Sequence, residues 1–242
     1  MTRLIEQSLA WFHNAASHAV VDPERTFFDP GEFAWTAEIE ASWPVMRTEL
    51  CRLLETKSDL PTFHDVSPRQ ARISNDDWKT FFFRVYGNDI PEAKALCPFT
   101  SQIVRRIPGM FTAFFSILGK GQVIPPHRGP HKGVLRYHLG LVVPVTDERC
   151  AIRVGCDVQS WQEGRSMIFD DTHEHEVWNR TEFDRAVLFV DFARPIPGML
   201  NLANKAILLA AKYTHPDVKQ ARLNAKRFAG RLNAAVPVAS AG

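Results

Sequence analysis

After Ile107-Pro108-Gly109 the sequence turns into a series of short strand-like runs. Phe111 to Leu118, Leu135 to Pro144, Cys150 to Val154, Ser166 to Phe169, Glu174 to Trp178 and Ala186 to Phe192 are rich in β-branched, aromatic and aliphatic residues. Turns such as Gly119-Lys120-Gly121 and Glu163-Gly164 separate them. Short strands at this spacing predict an antiparallel barrel or double-sheet jelly roll with a cupin-like interior. The expected fold class is mainly β with flanking helices, a double-stranded β-helix over residues 107–195.

The flanks read differently. Ile39, Trp43, Met46, Leu50, Leu53 and Leu54 recur at steps of three and four, on one face of a helix beginning near Thr36. Pro44 falls inside this run, so the helix kinks or restarts there. Such a stripe is what packing on a barrel requires, and that reading is preferred to a partner surface. Residues 1–106 are thus expected as a mostly helical decoration. From Leu200 the pattern is helical again, interrupted at Pro216, and residues 204–242 hold seven basic side chains against one acid, Asp217. Residues 196–242 form a basic helical tail, expected as a solvated face, with weak membrane-surface contact or an acidic partner as the alternatives. At 242 residues and 45% hydrophobic the chain can bury one large core, and a single domain is expected.

A formal net charge of +2 argues against a nucleic-acid binder. Cys51, Cys97, Cys150 and Cys156 form no Cys-x-x-Cys pair and read as reduced thiols. Met1 to Gln7 carries a negative charge where a signal peptide has its apolar run. The apolar runs Phe111 to Leu118 and Ala206 to Ala211 fall short of the roughly 20 residues that span a bilayer. A cytoplasmic protein acting on a small-molecule or peptidyl substrate is expected, its oligomeric state open.

The chemistry-bearing residues are His127, in Pro126-His127-Arg128-Gly129-Pro130, and His175, in Asp171-Thr172-His173-Glu174-His175-Glu176, with Arg185 ten residues further on. Two imidazoles on facing strands hold a divalent first-row metal and leave positions open for an oxo-acid and dioxygen, while an arginine clamps the far carboxylate. The usual third ligand, a carboxylate two residues after the first histidine, is replaced by Gly129. Either two protein ligands suffice, with water or cosubstrate supplying the rest, or the site is not of this kind. His173 shares a strand face with His175 and is a weaker ligand candidate. Asp170 and Asp171 look like an acid–base pair but are expected to cap the turn and support a histidine. His13, His18, His64 and His131 carry no motif.

Several of these segments, in order, resemble the aspartyl/asparaginyl β-hydroxylase family across roughly residues 70 to 195. They are Phe115-Ser116-Ile117-Leu118, Ile124 to Pro130, Leu135 to Pro144, Trp161-Gln162-Glu163-Gly164, Phe169-Asp170-Asp171 and His175 to Asn179. The resemblance implies an iron(II)- and 2-oxoglutarate-dependent dioxygenase, and glycine at the third-ligand position is a family trait. By position, His127 and His175 match the metal ligands. Arg185 and Ser116 match the pair holding the distal carboxylate of 2-oxoglutarate. His138 and Arg136 match residues lining the pocket, and Trp78 matches a tryptophan near it. Val134 stands where animal members carry a substrate-binding arginine. The order of expectation is an amino-acid-like or peptidyl substrate, then an acyl chain of the lipid A type at a membrane surface, then a non-catalytic cupin-like binder.

Overall fold

The computed structural model describes residues 11–12, 14–19 and 22–235. Met1 to Gln7, His13 and the end of the basic tail, which entered the expectations above, lie outside the described residues.

Two antiparallel sheets face each other. The larger is ordered β1 (Phe27–Phe28), β9 (Ser166–Phe169), β6 (Val134–Val142), β11 (Arg185–Ala193), β4 (Met110–Leu118), β2 (Trp78–Val85) and β3 (Asn88–Asp89). The smaller is β5 (Val123–His127), β10 (His175–Asn179), β7 (Cys150–Val154) and β8 (Asp157–Ser160). The mainly β, jelly-roll architecture expected from the strand runs is the one observed. Six of its strands fall within a residue or two of the predicted runs.

The sheet also reaches back into residues expected as helical decoration. β2 lies beside β4, pairing Thr80 with Ser116 and Phe82 with Phe114. It is buried almost throughout, so it lacks the polar alternation that marks a half-exposed strand. β5, which carries His127, also lies outside the predicted strand runs. Two consecutive prolines fit there because one side of this edge strand is unpaired and its register with β10 is irregular between His175 and Val177.

Helices cover the outer face. Helix α1 (Thr36–Ala41) ends before Pro44, and α2 (Trp43–Leu54) restarts with the proline in its first turn. Met46, Leu50 and Leu53 are buried as the stripe predicts. Glu49, also buried, accepts from the Phe99 and Thr100 amides and the Thr100 hydroxyl at 2.9, 2.8 and 2.6 Å. It thereby caps α5 (Pro98–Ile103), which follows α3 (Phe63–Val66) and α4 (Pro91–Leu96). The tail forms α6 (Met199–Thr214) and α7 (Asp217–Ala235), the latter packed inward through Ala221 and Phe228. All four cysteines are free thiols. No described helix is long and apolar enough to cross a membrane.

Candidate active site

Antiparallel pairing places His127 directly opposite His175 across β5 and β10, with ring centroids 4.1 Å apart. Each ring is held by a main-chain carbonyl two residues earlier. His127 Nδ1 lies 2.8 Å from the Pro125 oxygen, and His175 Nδ1 lies 3.0 Å from the His173 oxygen. A carbonyl only accepts, so each Nδ1 carries the proton and each Nε2 presents a lone pair. His175 Nε2 is buried with no partner. Burial, then the Arg136 charge and His127, pushes the His175 pKa down to about 3, and burial also lowers His127. Both rings are neutral at physiological pH, the form a metal takes.

The opposite wall is the inner face of the larger sheet. Arg185 opens β11 and is buried, its guanidinium stacked 4.5 Å from the Trp161 ring centroid. Its Nε and Nη1 have no hydrogen-bond partner. Burial lowers its pKa to about 10, the mark of a cation without a carboxylate. Ser116 lies on the neighbouring strand two register positions away, opposite Val187. The Trp78 indole donates to the Ser116 hydroxyl at 3.0 Å while stacking on Phe63. The Trp161 indole donates to His138 Nδ1 at 3.3 Å. Burial and the charges of Arg185 and Arg136 keep His138 neutral, so its proton is on Nε2, which is buried and unpartnered. His127, His175, Arg185, Ser116, His138, Trp78 and Arg136 all line one inner chamber.

Arg136 sits at the chamber's rim, ion-paired with Asp171 at 2.7 Å and Asp191 at 3.0 Å, and lies over the Phe189 ring. Asp171 fills the space a third ligand would need: a Cβ built on Gly129 would collide with its carboxylate. Burial raises the Asp171 pKa in spite of Arg136. The two aspartates therefore divide their work. Asp170 caps the turn through the Thr172 amide at 3.0 Å and binds Lys132 at 2.7 Å and Arg194. Burial would raise its carboxyl, but Arg194, Lys132 and Thr172 outweigh this and hold it below the usual range. The histidine nearest Asp170 is His173, at 4.0 Å, not either of the facing pair. His173 precedes β10 and contributes its carbonyl to the pair. No group of three His, Cys, Asp or Glu placed to hold a metal occurs among the described residues.

Sequence reasoning gave no role to Trp161, Lys132, Arg194 or Asp191. Trp161 was legible only as part of a motif; Asp191 reaches Arg136 from β11, while Lys132, in the turn before β6, and Arg194, just past β11, both bind Asp170. Outside the chamber a second cleft shares His127, Trp78, Arg136 and Phe189 with it; Phe63, Val66, Phe82, Val85, Phe111 and Phe114 are among its lining residues, with Asp171, Asp191 and Asp217.

The family model for Aspartyl/Asparaginyl beta-hydroxylase matches residues 40–195, starting some thirty residues before the span of the resemblance and so taking in α2. Ornithine lipid ester-linked acyl 2-hydroxylase from Rhizobium tropici is 42% identical over 94% of this chain and 81% of its own. Human aspartyl/asparaginyl beta-hydroxylase is 30% identical over 70% of this chain but only 23% of its own length. Among solved structures, a cupin 2 conserved barrel domain protein from Salinispora arenicola aligns with 56% of this chain and 87% of its own, at 8% identity and a TM-score of 0.33. A match over most of the barrel, falling on the strands that bring His127 and His175 together, places the chain in the aspartyl/asparaginyl β-hydroxylase family.

Proposed function

We propose that this hydroxylase is iron(II)- and 2-oxoglutarate-dependent and acts on the acyl chain of a lipid. The observation that carries the cosubstrate is Arg185, a buried guanidinium with two unsatisfied nitrogens facing the same chamber as the unpartnered Nε2 of His175. A buried cation of this kind is costly until a carboxylate meets it, and a five-carbon diacid chelated at one end presents a carboxylate at the other. When bound, iron(II) with 2-oxoglutarate and dioxygen supplies the oxidation of an unactivated C–H bond.

The residues divide the remaining work. His127 and His175 hold the metal through Nε2, their rings fixed from the backbone. Arg185 and Ser116 take the distal carboxylate, and Trp78 fixes the serine hydroxyl so that its oxygen or proton points inward. His138 offers an Nε2 proton to a cosubstrate oxygen, and Trp161 sets that tautomer. The aromatic walls exclude water from the reacting atoms.

The acyl chain moves ahead of the peptidyl substrate for two reasons. The relative similar over nearly the whole chain is a lipid acyl hydroxylase by name. The outer cleft is largely aromatic and aliphatic, and Arg136, the one arginine or lysine among its described lining residues, is already paired with two aspartates. An acidic side chain would find no free cation there.

Two measurements test this. Anaerobic titration with iron(II) and then 2-oxoglutarate should give the weak visible absorption of a chelated ketoacid in wild type and lose it in His175→Ala and Arg185→Ala. Mass spectrometry after aerobic turnover should then show one oxygen added to an ornithine lipid in detergent micelles and none to an aspartyl peptide. No absorption from a folded protein would return the reading to a non-catalytic binding barrel; oxygen on the peptide alone would restore the peptidyl substrate.

A further inference from the structure

Helix α6 shows four of its larger apolar side chains to solvent. Met199, Leu202, Leu209 and Tyr213, spaced along one helical face, are 77, 57, 56 and 76% exposed. Its inward side includes Asn204, which is fully buried and donates to the Gly133 carbonyl at 2.7 Å. Trp11, 62% exposed, belongs to a helical segment that packs beside α6 through Phe12 against Leu200, Ala203 and Ile207. Four large apolar side chains on one face of a single helix, with an exposed tryptophan on the segment packed beside it, form an apolar stripe that packing within the fold does not cover.

Cations border this stripe. Lys205 and Lys212 lie on α6, and a shallow cleft where α6 meets α7 is lined by Lys212, Lys219, Arg222 and Lys226 with no acid among its lining residues. Arg231 of α7 is ion-paired with Asp59, whereas none of these four is ion-paired among the described residues. The same region adjoins the mouth of the outer cleft. Tyr86 of that cleft stacks on His215 at 3.7 Å, Asn88 donates to the Lys212 carbonyl at 2.7 Å, and Asp217, the first residue of α7, lines the cleft itself.

We propose that the α6–α7 face docks the protein on an anionic bilayer. Met199, Leu202, Leu209 and Tyr213 enter the boundary between headgroups and acyl chains, and Lys212, Lys219, Arg222 and Lys226 lie among the headgroup phosphates. The proposal rests on the acyl-chain reading: a lipid drawn from the bilayer then meets the apolar cleft without its tail crossing water. A second copy of the chain is the weaker occupant, because a two-fold contact through this face would bring the same cations against each other.

Co-sedimentation of the full chain at about 0.1 M salt with phosphatidylcholine vesicles, alone or with about one-third phosphatidylglycerol, reads the docking directly. Wild type is expected to bind the anionic vesicles and not the neutral ones. Leu202→Glu and Leu209→Glu should each weaken binding about tenfold or more, and Lys219→Gln and Arg222→Gln roughly fivefold each. Lys120→Gln, outside this face, should leave binding unchanged. Equal binding to both vesicle types, no binding, or full binding by Leu209→Glu would overturn the proposal. So would a lipid-independent dimer, seen by sedimentation velocity, that Leu209→Glu dissolves. Turnover of micellar lipid separates the two readings: failed docking with intact micellar turnover removes only the docking face, and docking without turnover removes only the acyl substrate.

Discussion

Replacing Arg185 by methionine is expected to make the unliganded protein more stable and the cosubstrate-bound protein less stable. Burial lowers the guanidinium from its ordinary 12.5 to about 10. At about 1.4 kcal/mol for each tenfold change in proton affinity, holding the folded, unliganded chain charged here costs about 3 kcal/mol. Methionine removes that cost, forfeits the stacking on Trp161 worth about 1 kcal/mol, and leaves a small void worth about another 1 kcal/mol. The net gain of about 1 kcal/mol corresponds to roughly 2–4 °C in a chain of this size. With manganese(II) in place of iron and 2-oxoglutarate at about a hundred times its Kd, wild type gains about 2.7 kcal/mol, and the variant gains little. The two melting curves therefore exchange order on adding cosubstrate. Calorimetry of both proteins, with and without ligand, reads this out. If the variant is several kcal/mol less stable without ligand and wild type does not respond to 2-oxoglutarate, Arg185 is a structural prop and the reasoning fails.

Three further outcomes are expected. His175 keeps a pKa of about 3 in the folded chain against 6.5 unfolded. The unfolded chain therefore takes up a proton below pH 6.5 that the folded chain refuses, and stability, full above 6.5, falls on acidification. His175 alone should remove about 2 kcal/mol between pH 7 and pH 5 in metal-free urea titrations; an unchanged slope in His175→Gln would contradict this. Gly129→Asp should lower stability by about 1–3 kcal/mol and not improve iron retention, because its Cβ meets Asp171. Gly129→Asp with Asp171→Ala should recover stability and bind iron more tightly than wild type, as followed by equilibrium iron titration; affinity equal to wild type would argue that two histidines hold the metal as well as three ligands. Asp170→Ala strands Lys132 and Arg194 in the interior and should cost about 3–5 kcal/mol in urea unfolding, a loss under 1 kcal/mol counting against an anchoring role.

Much of the barrel was legible because its strands keep local signatures. Phe111 to Leu118 and Ala186 to Phe192 carry the residue types that pleated, packed surfaces favour, and turns mark their ends. β2 escaped because a strand buried on both faces has no period to detect; Phe81-Phe82-Phe83 offered residue-type enrichment alone. β5 escaped because edge position, which excuses its prolines, is a property of the sheet and not of the segment. At the site, the residue types and order of His127, His175 and Arg185 were enough to assemble the candidate centre. The separate duties of Asp170 and Asp171 were not readable, since adjacent residues point to different surroundings and only the contacts of Lys132, Arg194 and Arg136 tell them apart. The outward apolar face of α6 was hidden for a related reason: periodicity reveals an amphipathic helix without saying which side the fold will cover.

The carbonyls behind His127 and His175 have an evolutionary consequence. Where a side chain orients a ligating histidine, one substitution at that second position can turn the ring and disable the metal. Here the orienting groups are the main-chain oxygens of Pro125 and His173, which every amino acid possesses. No replacement of those side chains removes the acceptor, so ring orientation is robust to point mutation so long as the strand path is kept. Selection on the orientation of this histidine pair then falls on backbone geometry.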